Sequence, residues 1–379
     1  MRLLVILFIT IVGISCGTTS NISNTISQRQ SVQLKFLNAF DLPYNLQFKN
    51  TTVGGLSGID YDATSNVYYM ICDDRSAINA ARFYTASITL SSKGIDTVIL
   101  NEVHFLLQKD GTTYPNIKQN PQLTPDPEAI RFNPKFKNLV WTSEGDRNIQ
   151  ANAIIHPSIT FISSNGMFID TCFLPSQLYM HSSEKGPRQN GVLEGLTFSR
   201  DFRYLYVNIE EPLFEDGPKA DVVPNNAFIR FFKFDVKTKK NIAQFAYELD
   251  PVAFPSNPET AYKVNGVPDI LEIGKNRFLV IERSFSTGRL PCTVKVFDVD
   301  ASNATDITNI TSLKNVANIT KASKRLLLNM DTLGIHIDNI EGVTFGPILP
   351  NGHKTLLFVA DNNFSPIQKN QFLLFEILQ

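Results

Sequence analysis

The chain has 379 residues, of which 43% are hydrophobic and 19% charged, with 28 Phe and a formal net charge of −1. Such a composition builds a globular core and excludes a disordered chain. The near-zero charge provides no electrostatic footprint for nucleic acid or an anionic membrane surface, and the length suits either two average domains or one closed all-β repeat unit.

In chain order, residues 1–15 carry one basic residue, Arg2, and then an apolar run from Leu3 to Ile14. That run is too short to span a bilayer and has the length of a signal-peptide core. The following Gly13-Ile14-Ser15-Cys16-Gly17 resembles a bacterial lipobox. The expectation is therefore an exported protein in which Cys16 is the lipid-modified first residue, residues 16–31 form a flexible tether and residues 32–379 form the folded domain. Its place would be the cell envelope, anchored by lipid to the outer membrane or cell surface; an ordinary secretory signal with an incidental Cys16 is the alternative. Cys72, Cys172 and Cys292 then remain, an odd and unpatterned set that suits buried free thiols better than a disulfide framework.

The folded part is dominated by one recurring unit. It reads LSGIDYDATSNVYYMICDD (56–74), PEAIRFNPKFKNLVWTSEGD (127–146), LEGLTFSRDFRYLYVNIEEP (193–212), PDILEIGKNRFLVIERS (268–284) and IEGVTFGPILPNGHKTLLFVADNN (340–363). Each is an apolar strand, a polar turn and an alternating strand with an acidic end. Taking Asp73, Glu144, Glu210, Glu282 and Asp361 as the strand ends gives spacings of 71, 66, 72 and 79. A period near seventy suits a four-stranded blade with long loops, so the expected fold is an all-β propeller, not a solenoid.

Five blades follow from the count; a sixth has room only in 108–126 or 301–324, which lack the hairpin pattern. The last blade is short by one strand, and the alternating stretch 31–40 at the other terminus is available to complete it and close the ring.

In a propeller the equivalent ends of the second strands share one rim. Metal-ligating candidates there are Asp73, Asp74, Asp146, Glu211, Glu341 and Asp361, and candidate catalytic bases are Glu144, Glu210 and Glu282. Arg75, Arg147 and Arg283 follow strand-end acids closely and are candidate anion contacts. Converging carboxylates repel one another unless a cation neutralises them, and an all-oxygen set favours Ca²⁺. Such an ion beside guanidinium groups can serve a phosphoesterase; the structural alternative is a salt-bridged rim.

Other chemistries fit less well. Gly55-Leu56-Ser57-Gly58 lacks the spacing and the strand-to-helix context of a nucleophile elbow. The five His have no zinc spacing, and no phosphate-binding loop or dinucleotide fingerprint occurs.

The succession GGLSGIDYD, YYMICDDRS, PDPEAIRF, WTSEGD, NGVLEGLTF, VIERSFS, DNIEGVTFG and VADNNFSP resembles the "esterase-like activity of phytase" family over roughly 55–377. The resemblance implies an exported propeller-like protein with a phytase or esterase type of activity. Its recurring acids match Asp73, Asp74, Glu128, Glu144, Glu194, Glu210, Glu282, Glu341 and Asp361 here. The fourth repeat departs, with Pro268-Asp269 in place of the acid-Gly start. The expectation is a monomeric, calcium-dependent hydrolase of small phosphate monoesters, with a membrane contact only through the lipid. A non-catalytic binding propeller and a lactonase-like or carboxyl-esterase propeller are the alternatives.

Overall fold

The computed structural model describes residues 32–151 and 153–378. The expected signal peptide, Cys16 and tether lie outside the described residues. Among those described, no helix is long and apolar enough to cross a membrane.

Five small antiparallel sheets form a ring, a five-bladed β-propeller. Blade 1 consists of Leu56–Asp62, Val67–Cys72, Arg82–Ser91 and Gly94–Phe105, and blade 2 of Pro127–Asn133, Asn138–Ser143, Ser158–Ser163 and Phe168–Thr171. Blade 3 is Leu193–Phe198, Tyr204–Ile209, Phe228–Asp235 and Asn241–Glu248. Blade 4 is Ile270–Gly274, Arg277–Ser286, Thr293–Asp300 and Ser323–Asn329, with Lys263–Gly266 extending its innermost position. Blade 5 is Asn339–Gly346, Thr355–Asp361 and Asn370–Leu378, and its outermost strand is Gln33–Leu42 from the start of the domain.

Each first strand lies against the first strands of both neighbouring blades, so the five enclose a central channel. The second and third strands carry the apolar layers between blades: Tyr206, Phe231 and Phe278 pack edge to face between blades 3 and 4, and Phe358 meets Phe375 within blade 5. The hairpins joining first and second strands turn through left-handed residues, Asn66, Lys137, Phe202 and Asn276, which the polar turns 62–67, 133–138, 198–204 and 274–277 tolerate. Neither long segment adds a blade. Residues 301–322 instead lay Ile307 and Leu313 on Ala246 of blade 3, and 108–126 is loop. Cys72, Cys172 and Cys292 are buried free thiols.

Candidate functional site

Strand register defines equivalent positions around the ring. In the five hairpins Asp60 pairs with Tyr69, Arg131 with Val140, Thr197 with Tyr206, Leu271 with Leu279 and Thr344 with Leu357. Three residues before each of the first partners stand Ser57, Glu128, Glu194, Pro268 and Glu341. Four residues after each of the second stand Asp73, Glu144, Glu210, Arg283 and Asp361. Backbone pairing agrees: the amides of Asp73, Glu144 and Glu210 bond the carbonyls of Gly55, Asp126 and Val192, while Arg283 pairs with Gly266 and Asp361 with Asn339.

The fourth strand-end position is thus Arg283, not Glu282 as the sequence spacing suggests. Adjacent residues of a strand face opposite sides, so a one-residue difference exchanges which side chain meets the channel. Arg283 reaches inward to Glu210 at 2.8 Å, to Asn339 at 2.5 Å and to Glu341. Glu282 points the other way, into bonds from Tyr247 (2.5 Å), Asn265 (2.7 Å) and Lys324 (2.6 Å). It is a structural carboxylate between blades 3 and 4.

Why the inner acids face the channel is local. In blades 1, 2, 3 and 5 the register shifts by one residue across Ser57, Glu128, Glu194 and Glu341. Such a bulge places an extra residue on one strand and re-aims its side chain. The next residue is Gly58, Ala129, Gly195 or Gly342 because the neighbouring first strand lies against it: a Cβ on Gly58 would stand 2.9 Å from Ala129 Cα, and one on Gly342 would stand 3.1 Å from Gly58 Cα.

The two tiers hold seven carboxylates against one guanidinium, and their charges act across the channel. Burial, then Glu194, Asp126, Glu144 and Asp73, hold the Glu128 carboxyl well above the usual range. Burial and the facing acids likewise hold Asp73, Glu194 and Asp361 well above it. Burial raises Glu144 and Glu341 to about 8 and Asp126 to about 7. Desolvated, mutually repelling carboxyls either keep protons or bind a cation.

Two of these acids, with Asp126 beside them, fit a cation by their own geometry. Asp126, Glu128 and Glu144 each offer an oxygen within 4.8 Å of the others. Oxygens this close can all touch one ion at the roughly 2.3–2.6 Å bond lengths of Ca²⁺. The donor set is hard and anionic throughout, as such an ion requires. Glu144 Oε1 accepts from the amide of Val192 at 2.6 Å, which orients the carboxyl.

The other sequence candidates take different places. Asp74 is bound by the amides of Ala77, Ile78 and Asn79 and by buried Arg82 at 2.7 Å, so it shapes the loop 74–82. Arg75 bridges Asp146 at 2.9 Å and Asp126 at 3.5 Å, on the rim beside the blade 2 acids. Glu211 is held by Lys219 at 2.7 Å. Arg147 donates to the carbonyls of His181 and Ser182 and lies over the Phe214 ring, which fixes a loop.

Below the acids the channel is closed by a pair that sequence reasoning missed. Arg131, from blade 2, donates to both oxygens of Asp269 in blade 4 at 2.7 and 2.9 Å and to the carbonyls of Ile59 in blade 1 and Val343 in blade 5. Asp269 occupies the position that is Gly or Ala elsewhere, and burial raises it only to about 6 because Arg131 opposes the effect. The departure of Pro268-Asp269 from the repeat was the available signal; Asp126 and Arg131 had none of their own.

The profile of the family "Phytase-like: esterase-like activity of phytase" matches residues 51–364, and the chain belongs to that family. A comparison with functionally curated proteins gives no match. Among solved structures the chain is similar to the Dos1 propeller (8% identity, TM-score 0.31, 86% of this chain and 69% of that one). It is also similar to a bifunctional GH43-CE protein of Bacteroides eggerthii (9%, 0.41), covering 84% of this chain but 33% of that one. The gluconolactonase XC5397 of Xanthomonas campestris is similar at 9% identity and a TM-score of 0.37, over 93% and 96% of the two chains.

Proposed function

We propose that this protein is a cation-dependent hydrolase of phosphate monoesters whose reaction takes place at the acidic mouth of the channel. The observation that carries this reading is the seven-to-one excess of carboxylates over guanidinium in two equivalent tiers, in which only blade 4 contributes no carboxylate. Membership of the phytase-like family supports a hydrolase. Asp126, Glu128 and Glu144 would hold Ca²⁺, which when bound supplies a Lewis acid for a phosphoryl oxygen and an acidified water. Arg283 grips the phosphate from the opposite side as a fixed fork of donors, with Glu210 and Glu341 orienting its guanidinium. Glu194, on the blade between, presents its carboxyl to the same space and moves the proton that the leaving oxygen needs.

The test is hydrolysis of a phosphomonoester panel with Ca²⁺ and with chelator, by wild type and Glu128→Gln. Calcium-dependent phosphate release that the substitution abolishes supports the reading. Calcium binding without turnover of any ester would instead make the protein a binding propeller. Export as a monomeric Cys16 lipoprotein belongs to the same proposal: fatty-acid labelling should occur in the native chain and be lost in Cys16→Ser, while a secreted, unlabelled chain would overturn it.

A further inference from the structure

Beside the acidic mouth, between blades 4 and 5, lies a cavity of about 430 Å³. Its walls are largely apolar, with Tyr262, Phe285, Leu290 and Ile367 prominent. Leu290 and Ile367 are 70% and 73% exposed and Tyr262 is 57% exposed, a concentration of large apolar surface around one opening. Arg283 and Asn339 line it too, and the same two residues bond Glu341 of the inner tier. The cavity is therefore continuous with the acidic site through one guanidinium. Its single acid, Asp338, is turned to the amides of Asn339 and Lys369 and the side chain of Gln368.

We infer that this cavity receives the alcohol half of the substrate, and that the alcohol is aromatic. The inference rests on the phosphomonoesterase reading and names its substrate class. A polyanion carrying many phosphates would need many cations, whereas the cavity offers one guanidinium, Arg283, already flanked by Glu210 and Glu341, and one imidazole, His336, which faces Asp338 at 3.3 Å. An aromatic group bound there leaves one phosphate at Arg283, and its ring covers apolar surface that water otherwise meets. In the reaction a water oxygen bonds to phosphorus, the bond from phosphorus to the aryl oxygen breaks, and a proton from that water ends on the aryl oxygen. Inorganic phosphate leaves by the mouth and the phenol by the cavity.

The experiment compares 1-naphthyl phosphate with glycerol 2-phosphate, using the full chain with Ca²⁺, in wild type, Leu290→Asp and Ile367→Asp. Both positions are exposed, so neither substitution disturbs the core. The expected result is a kcat/KM preference of roughly tenfold or more for the naphthyl ester, as burial of an aromatic group provides. Each substitution should remove most of that preference by raising KM, with glycerol 2-phosphate unaffected. Binding of 1-naphthol, followed by its fluorescence, separates the apolar subsite from the hydrolase activity. Naphthol binding that the substitutions weaken, with no ester hydrolysed, keeps the apolar subsite and rejects the phosphomonoesterase. Hydrolysis with no preference and no effect of either substitution keeps the enzyme and overturns the subsite; absence of both overturns the subsite as well.

Discussion

Blades 1, 2, 3 and 5 end their second strands on Asp73, Glu144, Glu210 and Asp361, whereas blade 4 ends its own on Arg283. Blade 4 also replaces the inner Ser or Glu with Pro268, and the following Gly or Ala with Asp269, so all three of its departures fall on the channel. Four blades concentrate negative charge; blade 4 supplies the one inward cation of the two tiers and the carboxylate that anchors Arg131. A ring that repeats its backbone can thus still be polar across its axis. In the proposed function the blade 2 side holds the cation and the blade 4 side the anion.

The largest effect expected from breaking this asymmetry is on folding. Arg131→Met leaves Asp269 buried without its partner, and loss of one member of a buried pair costs about 3–5 kcal/mol. Chemical denaturation should show that loss, and Asp269→Asn added to Arg131→Met should recover part of it. An unchanged midpoint for the single variant would mean that the pair does not hold blades 2 and 4 together.

Arg283→Glu gives blade 4 the chemistry of its neighbours. Under the hydrolase proposal kcat/KM should fall by about 10²–10³, the usual loss on removing a preorganised charge-stabilising donor. Calorimetry should meanwhile show tighter or additional cation binding, because Glu210 and Glu341 lose their counter-charge. Retained activity would remove Arg283 from the site.

Glu282→Gln sharpens the distinction between facing the channel and facing away. Its bonds to Tyr247, Asn265 and Lys324 are buried, so stability should drop by about 1–3 kcal/mol while cation affinity stays the same. A loss of cation affinity with intact stability would return Glu282 to the rim.

The smallest effect is the pH dependence of the cation-free protein. Asp126, Glu144 and Glu341 have folded-state pKa values of about 7, 8 and 8, above those of the unfolded chain. The folded state binds more protons in that interval, so their contribution is complete below about pH 4 and lost as pH rises through 7 to 8. Thermal denaturation in chelator should therefore give a lower midpoint at pH 9 than at pH 6, and Ca²⁺ should close the gap. Equal midpoints in chelator would show that the cluster is not protonated in the folded chain.

The five-bladed propeller was legible because the hairpin repeats at a nearly constant interval, and the blade positions follow from that period alone. The rim acids Asp73, Glu144, Glu210 and Asp361 were legible for the same reason. Glu282 was misplaced because side-chain direction alternates with every residue: in blade 4 the acid and the guanidinium are neighbours, and only the pairing of Leu271 with Leu279 decides between them. Arg131 stayed hidden because its role arises between blades, from a partner, Asp269, that is 138 residues away, and Asp126 because it lies before the first strand of blade 2, outside the repeating positions. The outward roles of Asp74 and Arg147 depend on loop backbone, which the spacing of charged residues does not encode.

In the proposed function blade 2 holds a cation where desolvated carboxyls would otherwise hold protons. Calorimetric calcium titration near pH 7, repeated in two buffers of different ionisation enthalpy, tests it for wild type and Glu128→Gln. Saturable binding with net proton release is expected, with both strongly reduced by the substitution. No binding, or binding that Glu128→Gln leaves unchanged, would contradict it.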